Sequence, residues 1–169
     1  MIEQLYEDFT RRCGPCCIAG GAPRDVLMDR QPKDWDVFLL TDKKPEIDDL
    51  DQVDLLPFHP SEPFLQATVK WNTAIVQVMR PPVNTREELL DTFDWNVSLF
   101  AYDDKGFCQR TRLQEIAAGQ PLKLQKLTYP LSTLRRGFRF SERFGMELQE
   151  EDLVKIMAAY LKTKLEEAK

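Results

Sequence analysis

Residues 17–39, CIAGGAPRDVLMDRQPKDWDVFL, hold a Gly-Gly pair, an Arg-Asp pair and an Asp-x-Asp in one short stretch. Asp34 and Asp36 precede the apolar run Val37, Phe38, Leu39 and Leu40, which reads as a strand. Alternate strand residues face the same way, so both carboxylates share one face while Trp35 points the other way into a core. Two carboxylates so placed can hold a hard divalent cation, Mg2+ or in its place Mn2+, which takes oxygen ligands and substrate phosphates. They supply half of a two-metal site, whose ions sit about 3.5–4 Å apart across an in-line displacement. Upstream, residues 16–19 read as a short buried strand. Gly20 and Gly21 then permit torsions and a close approach that a side chain would block, so their amides can face phosphate. Residues 22–28 read as a helix with Pro23 in its first turn, its positive N-terminal end aimed at the same place. Arg24 offers a bidentate phosphate contact. Asp25 suits the helix dipole or the orientation of Arg24 better than it suits a metal.

The order strand, Gly-Gly, helix, loop with Pro32 and Asp-x-Asp strand resembles the signature of the polymerase-beta-type nucleotidyltransferases. More narrowly, GGAPRDVLMDRQPKDWD is similar to the head domain of class II CCA-adding enzymes and bacterial poly(A) polymerases. Gly20, Gly21, Arg24, Asp25, Asp34 and Asp36 fill that pattern without a gap. Residues 93–103, FDWNVSLFAYD, resemble the family segment ending in Asn-Ala-Leu-Ala-Tyr-Asp, and residues 135–148, RRGFRFSERFGMEL, resemble the start of its neck helix. The resemblance implies an α+β fold: a mixed or antiparallel nucleotidyltransferase sheet flanked by helices over residues 1–128, with a helical neck over 129–169. It implies a nucleoside triphosphate as substrate and an RNA or tRNA 3′ end as acceptor.

The departures are specific. The family's Arg-Arg-Asp ahead of the Asn segment is replaced by Leu90, Asp91 and Thr92. Its base-reading Glu-Asp-x-x-Arg is replaced, in the register set by Arg136 and Arg139, by Tyr129, Pro130 and Thr133. The third family carboxylate is expected on the strand after the metal pair, where residues 74–79 hold only Gln77. Asp94 is the substitute, two residues from Asn96, so that both face the site if the segment is extended. Arg136 and Arg139, with Arg143, form a stripe at spacings of three and four that either meets the nucleotide or acceptor or pairs with nearby acids such as Glu142.

The rest of the chain fits one compact unit of 169 residues. Residues 2–12 read as an amphipathic helix. Residues 64–69 and 74–79 form a hairpin around Trp71-Asn72, and residues 97–102 and 107–110 a second around 103–106. Residues 130–144 and 149–164 are helical, while the prolines of 57–63 and 81–82 mark loops. With 28 acidic against 23 basic residues the net charge is −5, which disfavours a broad phosphate-tracking surface. The chain shows no membrane span and no signal-peptide pattern, which leads to the expectation of a cytoplasmic protein.

Cys13-Gly-Pro-Cys16 copies a thioredoxin-like dithiol, but it follows a helix and enters a strand, the reverse of the redox context. Buried, reduced cysteines are therefore expected. His59, the single histidine, is not required by the in-line mechanism.

The expected activity is metal-dependent transfer of a nucleoside monophosphate to a hydroxyl, with Asp34 and Asp36 on the metals and Asp94 as third carboxylate. Gly20, Gly21, Arg24, Asp25, Asn96, Arg136 and Arg139 are expected around the nucleotide. The alternatives are a non-catalytic nucleotide- or RNA-binding module, or transfer to a protein or small molecule. The sequence stops about one helix past the neck, the size expected of a truncated, phage-type or mobile-element version.

Overall fold

The computed structural model describes residues 1–53 and 64–168. His59 and the loop expected at 57–63 lie outside the described residues. Helix α1 (Ile2–Cys13) follows from apolar residues three or four apart, and Ile2, Leu5, Phe9 and Cys13 are all buried. Fully burying each of the larger ones contributes roughly 1.5–3 kcal/mol. Gly14, at φ 82°, ends the helix in a conformation that favours glycine. The chain passes into β1 (Cys16–Ala19), α2 (Gly21–Leu27) and β2 (Trp35–Leu39). Next come β3 (Asp51–Gln52), β4 (Leu65–Trp71), β5 (Ala74–Met79) and α3 (Arg86–Leu90). A 3-10 turn (Asn96–Ser98) leads to β6 (Phe100–Asp103), β7 (Gly106–Gln109) and α4 (Leu113–Ala117), and α5 (Pro130–Phe144) and α6 (Glu150–Glu167) close the chain.

The strands form one mixed sheet in the order β3-β4-β5-β2-β1-β6-β7, with β2 and β5 parallel and the other pairs antiparallel. This is the α+β architecture expected. Strand periodicity sorts the core onto two faces. Cys16 and Ile18 of β1 and Trp35, Val37 and Leu39 of β2 pack with α1. Cys17, Ala19 and Phe38 pack on the other face with Leu89, Leu90 and Ala101. Asp36 shares the face of Phe38 by the two-residue period, and Trp35 turns away from it as expected.

A third cluster joins the region before β6 to the C-terminal helices. Trp95, Val97 and Phe100 pack with Leu122, Met146 and Ile156, flanked by Leu134, Phe140, Phe144 and Leu148. Trp95 Nε1 donates to the Thr133 carbonyl at 2.9 Å. Gly137 is required there, because a Cβ would lie 2.7 Å from the Trp95 ring and 2.9 Å from Leu148.

Both hairpins are present with shifted edges. The β4 strand runs through Trp71, and the turn is Asn72-Thr73, with Asn72 at φ 52°. Residues 97–99, expected to be extended, instead lie in and beyond the 3-10 turn. Ser98 N–H donates to the Trp95 carbonyl and Leu99 N–H to that of Asn96. Thr111 Oγ1 donates to the Asn96 carbonyl at 2.7 Å and Arg24 Nη1 to that of Val97 at 3.0 Å, so distant side chains hold the curl. Helix α3, not expected from periodicity, nevertheless has a legible start: Thr85 accepts from Glu88 N–H while the Glu88 carboxylate accepts from Thr85 N–H, a capping box. Among the described residues no helix is long and apolar enough to cross a membrane.

Candidate active site

The antiparallel register of β1 and β2 pairs Ala19 with Asp36, so the chain leaves β1 at Gly20 beside the Asp-x-Asp. A Cβ on Gly20 would sit 3.7 Å from Asp36 Oδ2 and 4.0 Å from Phe93 Cε2. Glycine turn, carboxylate and aromatic ring thus meet at one point. Gly20 has φ 86°, the left-handed region that glycine alone enters freely. Its N–H donates to the Phe100 carbonyl at 2.8 Å, so this amide anchors the turn and does not face phosphate, a correction to the expected cradle. The Gly21 N–H is the first of α2, where no preceding turn supplies an acceptor. Gly21 also leaves room for a neighbour, since a Cβ there would lie 3.3 Å from Arg24 Nη2.

Asp36 is half-buried in β2 and Asp34 is exposed just before it. On β5, the parallel neighbour, Gln77 stands opposite Asp36 in register. The side chain that β5 sets beside Asp36 is therefore an amide and not a carboxylate. Among the described residues no group of three or more His, Cys, Asp or Glu side chains could hold a metal. Two carboxylates beside a turn suit a cation such as Mg2+ that keeps several waters and arrives with substrate phosphates, as opposed to one caged by protein alone. Among the described residues, neither the cleft between α1 and residues 43–49 nor that lined by Asn96, Thr111 and Lys123 includes Asp34 or Asp36.

Arg24 does not do what the sequence suggested. Its side chain is 1% exposed. Nε and Nη2 donate to Asp25 Oδ1 at 3.0 and 2.7 Å, and Nη1 donates to the Val97 carbonyl. The guanidinium also lies 4.6 Å from the Phe144 ring centre and 5.9 Å from that of Phe140, within cation–π range. Burial pulls its pKa down, against the opposing pull of Asp25. Arg24 is thus a buried structural clamp and no phosphate ligand in this conformation. Asp25 orients it, as expected, and its second oxygen accepts from Arg143 Nη2 at 2.8 Å. The Arg-Asp pair therefore fastens α2 to α5.

Asp94 and Asn96 also depart from expectation: Trp95 between them is extended, yet each side chain is committed to a partner further along the chain. Asp94 Oδ2 accepts from Arg136 Nε at 2.7 Å and forms an ion pair with its Nη2 at 2.6 Å. Asn96 Oδ1 accepts from Lys123 N–H at 3.1 Å. Arg136 is thereby engaged by an acid of the sheet domain, and Arg143 by another, while Arg139 is exposed and makes no ion pair among the described residues. Two of the three arginines of the stripe thus pair with acids, Arg136 with Asp94 and Arg143 with Asp25, and neither with Glu142. Phe93, Phe140 and Phe144 were not singled out as site or clamp residues. Only the i, i+4 spacing of the two phenylalanines hinted at a shared face.

Three of the four thiols, Cys13, Cys16 and Cys17, are buried. Burial pushes Cys13 and Cys16 up to about 11 and Cys17 up to about 12, and all four cysteines are free. Cys13 ends α1 and Cys16 opens β1, the order that argued against a redox motif.

No family model matches the chain, and no curated protein matches it by sequence. Solved structures do. Over 98% of its length it superposes on an apo CCA-adding enzyme with a TM-score of 0.64 and 17% identity, covering 43% of that chain. A Thermotoga maritima CCA-adding enzyme complexed with tRNA matches over 98% of this chain and 43% of its own, at a TM-score of 0.60 and 18% identity. A Bacillus stearothermophilus CCA-adding enzyme in complex with CTP matches over 88% and 40%, at 0.62 and 17%. The chain spans less than half the length of each. At such identities the likeness defines the fold, which is the nucleotidyltransferase fold of the CCA-adding enzyme head. A Gly-Gly turn set against an Asp-x-Asp strand lies on it.

Proposed function

We propose that the protein is a metal-dependent nucleotidyltransferase that moves a nucleoside monophosphate from a triphosphate to an acceptor hydroxyl, an RNA or tRNA 3′ end being the favoured acceptor. The observation that carries this reading is the meeting of the Gly20 turn with the Asp36 carboxylate, across the register that pairs Ala19 with Asp36. In the reaction the acceptor oxygen forms a bond to the α-phosphorus, the bond from that phosphorus to the bridging oxygen breaks, pyrophosphate leaves and the hydroxyl proton passes to solvent. Asp34 and Asp36 would hold Mg2+ or Mn2+, which supplies Lewis-acid stabilisation of the phosphoryl oxygens. The Gly21 amide at the start of α2 donates to phosphate. Phe93, beside the turn, bounds the space next to Asp36. Solved structures of the same fold are complexes with ATP, CTP and tRNA, which supports a triphosphate and an RNA acceptor.

The glutamine opposite Asp36 favours a second reading, a nucleotide- or RNA-binding module without turnover. One experiment separates the two. Purified protein and its Asp34→Ala/Asp36→Ala variant are incubated with Mg2+ or Mn2+, each labelled triphosphate and total small RNA or protein extract. Label on RNA, and only with the intact pair, is the expected result. Metal-dependent triphosphate binding without labelling would establish the module instead.

A further inference from the structure

Helix α6 carries two apolar stripes where a helix lying on a domain needs one. Ile156 faces inward to the core of Trp95 and Met146. On the opposite side Val154, Met157, Leu161 and Leu165 recur at spacings of three, four and four residues and are 61, 47, 55 and 68% exposed. Single exposed apolar residues are ordinary, but a row about 16 Å long on one helix face marks a contact surface.

We propose that this face pairs with the same face of a second copy of the chain, the two α6 helices antiparallel about a two-fold axis at Met157. The charges flanking the stripe choose the partner. Lys164 lies along one edge of the apolar row, Glu151 and Lys162 along the other, and Glu150 extends the row itself by one turn towards the N-terminus of α6. An antiparallel pair centred on Met157 opposes Val154 to Leu161 of the second copy. The same alignment sets Glu150 against Lys164 and Glu151 against Lys162, each contact occurring twice, and it also opposes the helix dipoles. A parallel pair would instead gather four acids at one end and four lysines at the other. Within one chain Lys164 is held by Glu167 at 2.6 Å, an exposed pair that contributes little and leaves the lysine able to serve both acids. The interface uses none of the candidate active-site residues, so it stands or falls separately from the transfer activity.

Sedimentation equilibrium of the full chain at about 100 μM, a concentration suited to a small interface, is expected to show twice the chain mass. Leu161→Glu, at an exposed position, is expected to give a monomer with an unchanged melting temperature. Met157→Cys is expected to form an intermolecular disulfide on mild oxidation, since the axis brings the two copies of that position together. Lys162→Glu/Lys164→Glu is expected to weaken association about tenfold, and adding Glu150→Lys/Glu151→Lys to restore it. A wild-type chain monomeric up to about 1 mM would overturn the proposal. So would a charge-reversed quadruple variant that fails to recover association while remaining folded.

Discussion

Arg24 is the residue on which the two parts of the chain meet. Its guanidinium is divided among Asp25, the Val97 carbonyl and the faces of Phe140 and Phe144, and Gly21 leaves the room it needs. Arg24→Ala would leave Asp25 buried with Arg143 alone, and the loss of stability is expected to be about 3 kcal/mol, read by urea denaturation. Thr133 is the opposite case. Among the described residues its Oγ1 is buried without a hydrogen-bond partner, so Thr133→Val, which removes that hydroxyl, is expected to stabilise by about 1 kcal/mol in the same assay. Asp8 contributes to stability on the acid side. Burial alone would raise its pKa, but hydrogen bonds from Arg12, Trp71 and Arg11 and the Arg12 charge outweigh this and hold it below the ordinary 3.8. A carboxylate depressed in the folded state contributes stability above its unfolded pKa and loses it as pH falls through the folded one. Melting temperature is therefore expected to drop below about pH 4, and Asp8→Asn to flatten that drop.

At the scale of elements, the docking of α5 depends on a flat spot. Gly137 ordinarily weakens a helix relative to alanine by about 1 kcal/mol, yet a methyl group there would run into Trp95 and Leu148. Gly137→Ala is therefore expected to destabilise, by roughly 1–3 kcal/mol, with a loss of the near-ultraviolet signal of Trp95. An outcome of increased stability would mean that α5 does not rest on Trp95. The amphipathic α1 and the long C-terminal helices were legible because their apolar spacing is regular over many residues. The curl at Asn96–Ser98 was not, because its carbonyls are held by Thr111 and Arg24, residues 15 and 73 positions away in sequence.

At the scale of the whole molecule, a sheet with a single parallel pair brings β2 between β1 and β5 and so puts the Gly20 turn, Asp36 and Gln77 side by side. Asp34→Ala or Asp36→Ala is expected to abolish transfer, with the melting temperature of Asp34→Ala nearly unchanged, since Asp34 is exposed just before β2. A surface control, Glu166→Ala, is expected to alter neither; equal activity in all three variants would remove the assignment. Local pattern along the chain was enough for the fold class and the strand-turn-helix-strand order, because those rest on periodicity and on the torsions of glycine. Only the tertiary structure decided that Arg24 clamps α2 to α5, that Asp94 serves Arg136, and that Asn96 turns toward Lys123. A buried charge takes whichever partner packing brings within reach, and spacing along the chain does not encode that choice.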